Sequence, residues 1–357
     1  MSEVSGTPHA VRQSRPAQEV AEILAAAKSL AGPAMHEAVE SLHPMLAEIS
    51  SYHLGWQDAD GRPVPNGGGK GVCLAMAVLS AEAASAAGEV GVPGGVAAEL
   101  VHVFTHMHDD IMDGDDRRRH RLSVWRVYGA GRAILTGDAL LVLALEVLSR
   151  ISDGGGRTAT LDLLSMCRRM AFGQAQDLNF ETRPASGPNA VGVEEYLAMS
   201  ADKTGALYGY ALHVGAVLAG VEPAAADLLA QAGEHLGVVA QAVDDVNGIW
   251  GDPAVTGKPA LSDLRTRKKT LPVVAVLSGR TPAALRIAEL LGRPADADID
   301  LEFAAGLLEE EGGRRFAEST AREHHRMALD CLRAFPMPSP VREDLENLAD
   351  FVLHRTA

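Results

Sequence analysis

Apolar residues recur at intervals of three and four along most of the chain, which is the spacing that buries one face of an amphipathic α-helix. From residue 17 to about 51 this spacing predicts two helices, separated near Gly32-Pro33. The other predicted helices span roughly 71–88, 94–113, 121–129, 131–151, 157–180, 193–219, 223–249, 270–278, 282–292, 301–333 with a break at Gly312-Gly313, and 339–355. No segment alternates apolar and polar residues with the period of two that a half-buried strand needs. The pattern therefore predicts an all-α fold, a bundle of ten or more helices.

The segments between the predicted helices indicate a short N-terminal tail followed by one domain. Residues 1–16 are polar and lack helical periodicity, so we expect a flexible N-terminal tail. A Gly- and Pro-rich loop is expected from Gly55 to Gly69. Nowhere in the interior do Gly and Pro cluster as they do in a linker between domains, so residues 17–357 are predicted to form a single domain.

The composition narrows the class of partners. The formal net charge is −15, which disfavours binding to nucleic acid or to an anionic membrane surface. The three cysteines, Cys73, Cys167 and Cys331, are far apart and lack metal-ligand spacing, as expected for a reduced, cytoplasmic protein. No signal peptide and no apolar run long enough to cross a bilayer is visible, so stable membrane insertion is not expected.

A first acidic stripe lies on the predicted helix that ends near residue 113. Because a helix turns by about 100° per residue, His102, His106, Asp109 and Asp113 fall on one face of an otherwise apolar helix. Carboxylates on an inward face repel one another unless a cation neutralises them. Their hard oxygen atoms suit Mg²⁺, which takes further ligands from substrate phosphates.

A second acidic stripe follows on the helix predicted over 223–249. Helical spacing places its polar members on one shared face, and these are Gln241, Asp244, Asp245, Gly248 and Asp252. Cations are distributed between and after the two stripes, at Arg118, Arg119, Lys203, Lys258 and Lys268. Carboxylates that hold magnesium, with Lys and Arg around a diphosphate, form an arrangement suited to ionising a phosphate ester.

Further elements keep a characteristic order along the chain. They are Gly69-Lys70, His102, Gly137-Asp138, Gly173-Gln174 with Asp177, Lys203-Thr204, Gly257-Lys258, Asp263, and Lys268 with Thr270-Leu271-Pro272. With the two acidic stripes, this order resembles the trans-prenyl diphosphate synthase (polyprenyl synthetase) family from about residue 20 to the end of the chain. It is most similar to the actinobacterial branch. The resemblance implies the class I isoprenoid synthase fold, a helical bundle around a central cavity.

The resemblance also implies roles for individual residues. Asp109, Asp113 and Asp244 would bind three Mg²⁺ ions, and Asp110 and Asp245 would support these ligands. The allylic diphosphate would be held by cations at Arg118, Lys203, Lys258 and Lys268. A homodimer is expected because members of the family are commonly homodimers.

One part of the family pattern is altered. The family binds isopentenyl diphosphate (IPP) with a GKxxRP motif, a histidine and a second arginine, which here would be Lys70, His102 and Arg119. Cys73 stands in place of the arginine of that motif, and Leu74 in place of the proline. Because a charge-assisted hydrogen bond contributes about 1.5–3 kcal/mol, the change predicts an IPP affinity that is lower by about tenfold or more.

Other departures concern the wall of the expected cavity. His106, Tyr208, Tyr210, Ala240 and Asn247 differ from the residues usual in the family, whereas Phe104 and Gln241 keep expected positions. Together with Cys73, these changes favour a terpene synthase that cyclises farnesyl or geranylgeranyl diphosphate and needs no IPP. The tyrosines would stabilise carbocations by cation–π attraction.

Two alternatives stay open at this stage. The first is an ordinary chain-elongating synthase that makes farnesyl or geranylgeranyl diphosphate from IPP. The second is a non-catalytic partner subunit, which is disfavoured because the first aspartate motif is complete. Phe104, five residues before Asp109, points to a C15 chain, while the small Ala240 leaves a C20 chain open.

Overall fold

The computed structural model describes residues 15–65, 69–257, 259–279, 281–293 and 299–355. Its helices are α1 (Arg15–Glu40), α2 (Pro44–Leu54), α3 (Val72–Ala83), α4 (Val92–Met112), α5 (Val124–Tyr128), α6 (Ala130–Ser149), α7 (Gly154–Thr182), α8 (Val193–Ser200), α9 (Ala206–Leu218), α10 (Pro223–Trp250), α11 (Pro253–Thr256), α12 (Ser262–Arg265), α13 (Leu271–Ser278), α14 (Pro282–Leu291), α15 (Leu301–Glu310), α16 (Gly313–Ala334) and α17 (Ser339–His354). A 3₁₀ turn at Gly88–Gly91 precedes α4. The predicted all-α fold is confirmed.

The N-terminal helices begin and end at other residues than predicted. Residues 1–14 of the predicted tail lie outside the described residues, and residues 15 and 16 already belong to α1. Pro33 does not interrupt α1, because the buried face of the helix continues across it from Ala31 to Met35. The chain breaks instead at residues 41–43, and Pro44 starts α2 at the position where a missing N–H costs no hydrogen bond.

Helix α3 lies at the centre of the bundle. Every residue of α3 except Glu82 is buried, and the helix packs against α1, α4 and α9. The backbones come so close that a Cβ atom on Gly91 or on Gly215 would overlap the carbonyl oxygen of Ala77. The hydroxyl of Ser80 donates to the carbonyl of Leu212 at 2.5 Å and accepts from the amide of Ala216 at 3.0 Å, which ties α3 to α9.

Helix α10 packs against α9 on one side and α16 on the other. Its C-terminal end joins a smaller apolar cluster, whose buried members include Ile249, Leu264, Val273, Ile287 and Leu308. This cluster holds α12 beneath the end of α10. The second acidic stripe is therefore positioned by packing on three sides.

Helices α8 and α9 form one continuous helix that contains a wider turn. Residues Ala201–Gly205 make a π-helical turn between the two α-helical parts, within the single helix predicted over 193–219. Such turns occur often at functional sites, because the extra residue changes the direction of nearby side chains. Here the turn carries Lys203 and Thr204.

Three further features differ from the sequence prediction. Arg117–Arg118 and Arg121–Leu122 form a two-stranded antiparallel hairpin, which is too short to show an alternating pattern. Helix α7 begins at Gly154 rather than after the glycines, because the side chain of Asp153 accepts a hydrogen bond from the Gly156 amide. The short helices α11 and α12 were not predicted. No helix among the described residues combines the length and apolarity required to cross a membrane.

Candidate active site

The C-terminal end of α4 carries the first aspartate motif. Asp109 is half-buried, and its pKa is raised by burial and by the neighbouring Asp113 against the opposing charge of Lys203. The ammonium of Lys268 donates to Asp113 at 2.6 Å, and the ammonium of Lys203 donates to Asp177 on α7 at 2.6 Å. Three helices and the segment before α13 thus bring carboxylates and lysines together, as the sequence predicted for Asp109, Asp113, Lys203 and Lys268.

Asp110 points away from this group and is buried. Its carboxylate accepts hydrogen bonds from the Arg118 guanidinium, at 2.8 Å from Nε and 2.7 Å from Nη2. The supporting role expected for Asp110 stays a prediction. Arg118 was expected to hold diphosphate, but its guanidinium is paired with Asp110 in this structure.

The second stripe has an exposed and a buried carboxylate. Asp244 is exposed and accepts from Arg355 at 2.5 Å. Asp245 is buried and accepts from the Tyr196 hydroxyl (2.5 Å), the Leu271 amide (2.8 Å) and Gln241 (3.0 Å). Burial raises the pKa of Asp245 to about 7, against the effect of these three donors. Asp245 therefore fixes α10 to α8 and α13, while Asp244 faces the open side.

The extent predicted for the second stripe is wrong at its end. Helix α10 stops at Trp250, so Asp252 lies beyond it and does not share the face of Asp244. Its side chain instead accepts from the Ala254 amide at 2.9 Å and caps α11. Helical spacing applies only while the helix continues, and the chain turns at Gly251.

A third carboxylate, Asp263, approaches the second stripe from the segment after α10. A Cβ atom on Gly248 would overlap the Asp263 carboxylate, so a larger residue at this position of α10 would displace the Asp263 side chain. Asp263 also raises the pKa of Lys268, after the larger effect of Asp113. Lys268 therefore lies between Asp113 at the end of α4 and Asp263 on α12.

The π-helical turn places Lys203 between helices. The backbone of Lys203 lies so close to Gly173 on α7 that a Cβ atom there would overlap it. The adjacent Thr204 hydroxyl donates to Gln241 at 2.8 Å, which links the turn to α10. Arg169 binds Asp202 of the same turn at 2.9 Å. The turn is therefore anchored on both sides of its lysine.

A separate basic region lies where the sequence predicted an altered IPP pocket. Arg119 reaches Gly69, where a Cβ atom would stand 2.7 Å from its Nη1, and the Lys70 ammonium lies 5.4 Å from the ring of Phe351. Cys73 is buried, and burial with the nearby Glu99 raises the pKa of its thiol far above the ordinary value. A neutral thiol thus occupies the place of the family's arginine.

The histidines on α4 and α2 lie beside this region. The rings of His102 and His106 are 4.2 Å apart, and His106 lies 5.9 Å from His53. Burial, followed by the charges of the neighbouring arginines, lowers the pKa of both His53 and His106 well below the usual value. His102 lies 3.9 Å from the buried Glu99.

The predicted cavity residues do not all lie together. Tyr210 is buried against α7, where its hydroxyl lies 3.4 Å from the Ala159 carbonyl. Its side chain therefore belongs to the packing between α9 and α7. The Tyr208 hydroxyl instead accepts from Arg355 at 3.2 Å. The carbonyl of the buried Ala240 accepts from the same guanidinium at 3.3 Å. The ring of Phe104 contacts the ring of His108 edge-on at 4.8 Å.

Asn247 is half-buried on α10, and its amide nitrogen has no hydrogen-bond partner among the described residues. Lys258 lies outside the described residues, so its predicted role stays a prediction. Two residues of the site were missed. Tyr196 has a weak signal, since it lies seven residues before Lys203 on the same helical face, but nothing local marks Arg355.

The donor set fits magnesium. Asp109, Asp113 and Asp244 offer hard carboxylate oxygens, the ligand type that Mg²⁺ prefers, and burial raises the pKa of Asp109 with a smaller contribution from Asp113. The lysine and arginine partners described above supply part of this counter-charge in the structure. The same cations are placed to meet the oxygens of a diphosphate.

Comparisons with known proteins agree with this geometry. Residues 62–307 match the family model described as polyprenyl synthetase. The chain is 38% identical over 356 residues to a (2E,6E)-farnesyl diphosphate synthase of Mycobacterium tuberculosis, covering 99% of this chain and 98% of that protein. It is 40% identical over 338 residues to a geranylgeranyl diphosphate synthase of the same species, covering 93% of each.

A solved structure is also similar. A polyprenyl synthetase from Streptomyces coelicolor A3(2) superposes with a TM-score of 0.87 at 47% identity, covering 94% of this chain and 99% of that one. Sequence and fold are thus shared with prenyl synthases over nearly the whole chain. This protein belongs to the polyprenyl synthetase family.

Proposed function

We propose that this protein is a magnesium-dependent, chain-elongating trans-prenyl diphosphate synthase that makes farnesyl or geranylgeranyl diphosphate. The observation that carries the proposal is the presence of two separate cationic sites, one among aspartates and one around Glu99. Joining two diphosphate esters requires a place for each diphosphate. The names of the relatives described above support elongation, whereas nothing in them supports the cyclase favoured by the sequence.

The aspartate-lined site would receive the allylic substrate. Asp109, Asp113 and Asp244 would hold Mg²⁺, which when bound supplies positive charge to the leaving diphosphate. Lys203 and Lys268 would exchange part of their contact with Asp177 and Asp113 for diphosphate oxygens. Their positions are set before substrate arrives, so little reorganisation is needed during the reaction.

Elongation would form one carbon–carbon bond and release one diphosphate. The bond between the allylic C1 and its diphosphate oxygen breaks, and the double bond of IPP supplies the electron pair for the new carbon–carbon bond. A proton then leaves C2 of the IPP unit, and the released diphosphate is an available acceptor. The apolar helix faces around Phe104 would shelter the cationic carbon from water.

Phe104 lies about 1.4 turns before Asp109 on α4, and we assign it to the limit on chain length. Its ring is held against His108, and the adjacent wall is formed by Gly137, where a Cβ atom would overlap the His108 ring. The bulk at this point supports a C15 product.

Product analysis tests the proposal directly. Purified protein with Mg²⁺ and geranyl or farnesyl diphosphate is expected to form longer diphosphates only when IPP is present. A hydrocarbon or terpene alcohol formed without IPP would overturn elongation and support the cyclase. The neutral, buried Cys73 is the observation that makes this alternative worth measuring.

We further propose a homodimer, joined through an apolar face on α6 and α7. The large exposed apolar side chains on these helices are Ile134, Leu135, Val142, Leu161, Leu164 and Phe172. Several large apolar side chains exposed on two helices that contact each other are costly to leave in water. Light scattering is expected to give twice the chain mass, and Phe172→Glu is expected to shift it toward the monomer. A monomeric wild-type protein would contradict this proposal.

A further inference from the structure

The region around Glu99 contains a cation that the family motif does not include. At its centre Cys73, Glu99 and His102 approach one another, since one ligand-type atom from each lies within 4.8 Å of the others. The Cys73 thiol is neutral, for the reason given above, and it cannot provide the two directed, charged donors of an arginine. Position 73 therefore contributes no positive charge.

Lys28 reaches the same region from α1. Its aliphatic stem crosses the backbone at Gly71, where a Cβ atom would stand 3.0 Å from both Cγ and Cε of the lysine. Gly71 has φ of 73°, a conformation that favours glycine, and it lies between Lys70 and Cys73 at the start of α3. The lysine is thus placed at the entrance of the altered motif.

The backbone of α1 holds Lys28 in this position. Leu24, Ala27 and Ala31 are buried neighbours on the same helix, which packs against α3 and α4. The side chain of Lys28 is itself half-buried. Because its stem is confined by packing, less conformational entropy is lost when its ammonium binds an anion.

The charges in this region are unbalanced. Lys28 and Arg119 both act on the single buried carboxylate of Glu99, and they also repel each other. Burial lowers the pKa of Lys28, Lys70 and Arg119, and repulsion from neighbouring cations lowers each further. Two cations, Lys28 and Arg119, that share the buried Glu99 carboxylate are stabilised when a polyanion binds between them.

We propose that Lys28 binds the diphosphate of the second substrate and supplies the cation that is missing at Cys73. This inference deepens the proposed function and rests on it for the identity of that substrate, IPP. It also explains how a chain that lacks the arginine of the motif keeps an IPP site. A metal ion bound by Cys73, Glu99 and His102 is disfavoured, because Lys28 and Arg119 already offset the charge of Glu99.

Titration with inorganic pyrophosphate in EDTA tests Lys28 without any reaction. Without Mg²⁺ the aspartate-lined site repels anions, so the titration reports the basic region. Lys28→Met, which keeps most of the stem, is expected to raise the Kd about tenfold, and Lys28→Arg to keep it within about threefold. Arg322→Met, which removes a charge from the exposed face of α16, serves as the control and is expected to leave the Kd unchanged.

Steady-state kinetics supplies the second measurement. Lys28→Met is expected to raise KM for IPP about tenfold while changing KM for the allylic diphosphate less than twofold. An unchanged Kd for pyrophosphate in a Lys28→Met protein that melts like wild type would overturn the role of Lys28. If the wild type fails to elongate, the proposed function is lost, while the pyrophosphate titration still decides what Lys28 binds.

Discussion

The two cationic regions of this protein differ in how their charges are matched. In the aspartate-lined site each lysine has its own carboxylate, Lys203 with Asp177 and Lys268 with Asp113, both at 2.6 Å. In the basic region Lys28 and Arg119 share the one buried carboxylate of Glu99. A matched site binds a polyanion only after divalent cations add positive charge, whereas an unmatched site binds it directly. We therefore expect the two substrates to depend differently on magnesium.

The largest effect is expected from loss of a carboxylate that is proposed to bind metal. Asp109→Asn is expected to lower kcat about 100-fold or more, since it removes a carboxylate proposed to hold the Mg²⁺ that would stabilise the leaving diphosphate. Turnover with saturating substrates and Mg²⁺ is the measurement. Asp330→Asn, an exposed carboxylate on α16 that pairs with Arg326, is the matched control and should retain wild-type activity. An Asp109→Asn enzyme with half the wild-type kcat would refute the assignment.

Removal of magnesium should separate the two regions without mutation. Chelation with EDTA is expected to weaken binding of an unreactive allylic thiolodiphosphate about 30-fold, while IPP alone keeps its Kd within about threefold. Calorimetric titration of each ligand measures both values. Equal losses for the two ligands would show that the basic region also depends on metal.

The buried carboxylate of the second stripe should make stability depend on pH. The pKa of Asp245 is about 7 in the folded protein, whereas the ordinary pKa of an aspartate is 3.8. Between pH 3.8 and about pH 7 the folded state therefore binds more protons than the unfolded state. The free energy of unfolding should therefore fall by about 1 kcal/mol from pH 6 to pH 8. Urea titrations at both pH values, compared with Asp245→Asn, isolate this contribution. The prediction is contradicted if the free energy of unfolding of Asp245→Asn falls as much from pH 6 to pH 8 as that of the wild type.

The smallest effect is expected at Asp244, whose partner is Arg355. Because this guanidinium competes with a metal for the carboxylate, Arg355→Gln should lower the Mg²⁺ concentration for half-maximal activity about threefold. Arg355→Lys keeps the charge and is expected to stay near wild type. A higher magnesium requirement in Arg355→Gln would instead show that Arg355 supports metal binding through its contact with Tyr208.

Much of the fold could be predicted because most helices show a strong period in their apolar residues. The errors occur where tertiary packing overrides a local signal. Pro33 stays inside α1 because the buried face continues across it, and the hairpin at 117–122 is too short to produce any pattern. The all-α class was therefore accessible from the sequence, whereas the ends of the helices depended on neighbouring elements.

The candidate site also contains some contacts that the sequence predicted and others that it did not. The convergence of Asp113 with Lys268 followed from a known order of motifs, and the structure brings these residues together. Arg355 meets Asp244 across 111 residues of sequence with no local mark, and Lys28 sits in an amphipathic helix where a lysine is ordinary. Charges contributed by distant helices can be found only once the packing is known.

The π-helical turn at Ala201–Gly205 also constrains how this sequence can change in length. A five-residue turn within α-helical surroundings contains one residue more than the regular ladder requires. Deleting a single residue there would restore regular winding but rotate the preceding segment by about 100° relative to α9. Tyr196 would then leave Asp245, and Lys203 would leave Asp177. A change in length of one residue at this turn would therefore disturb contacts on α10 and on α7 at once.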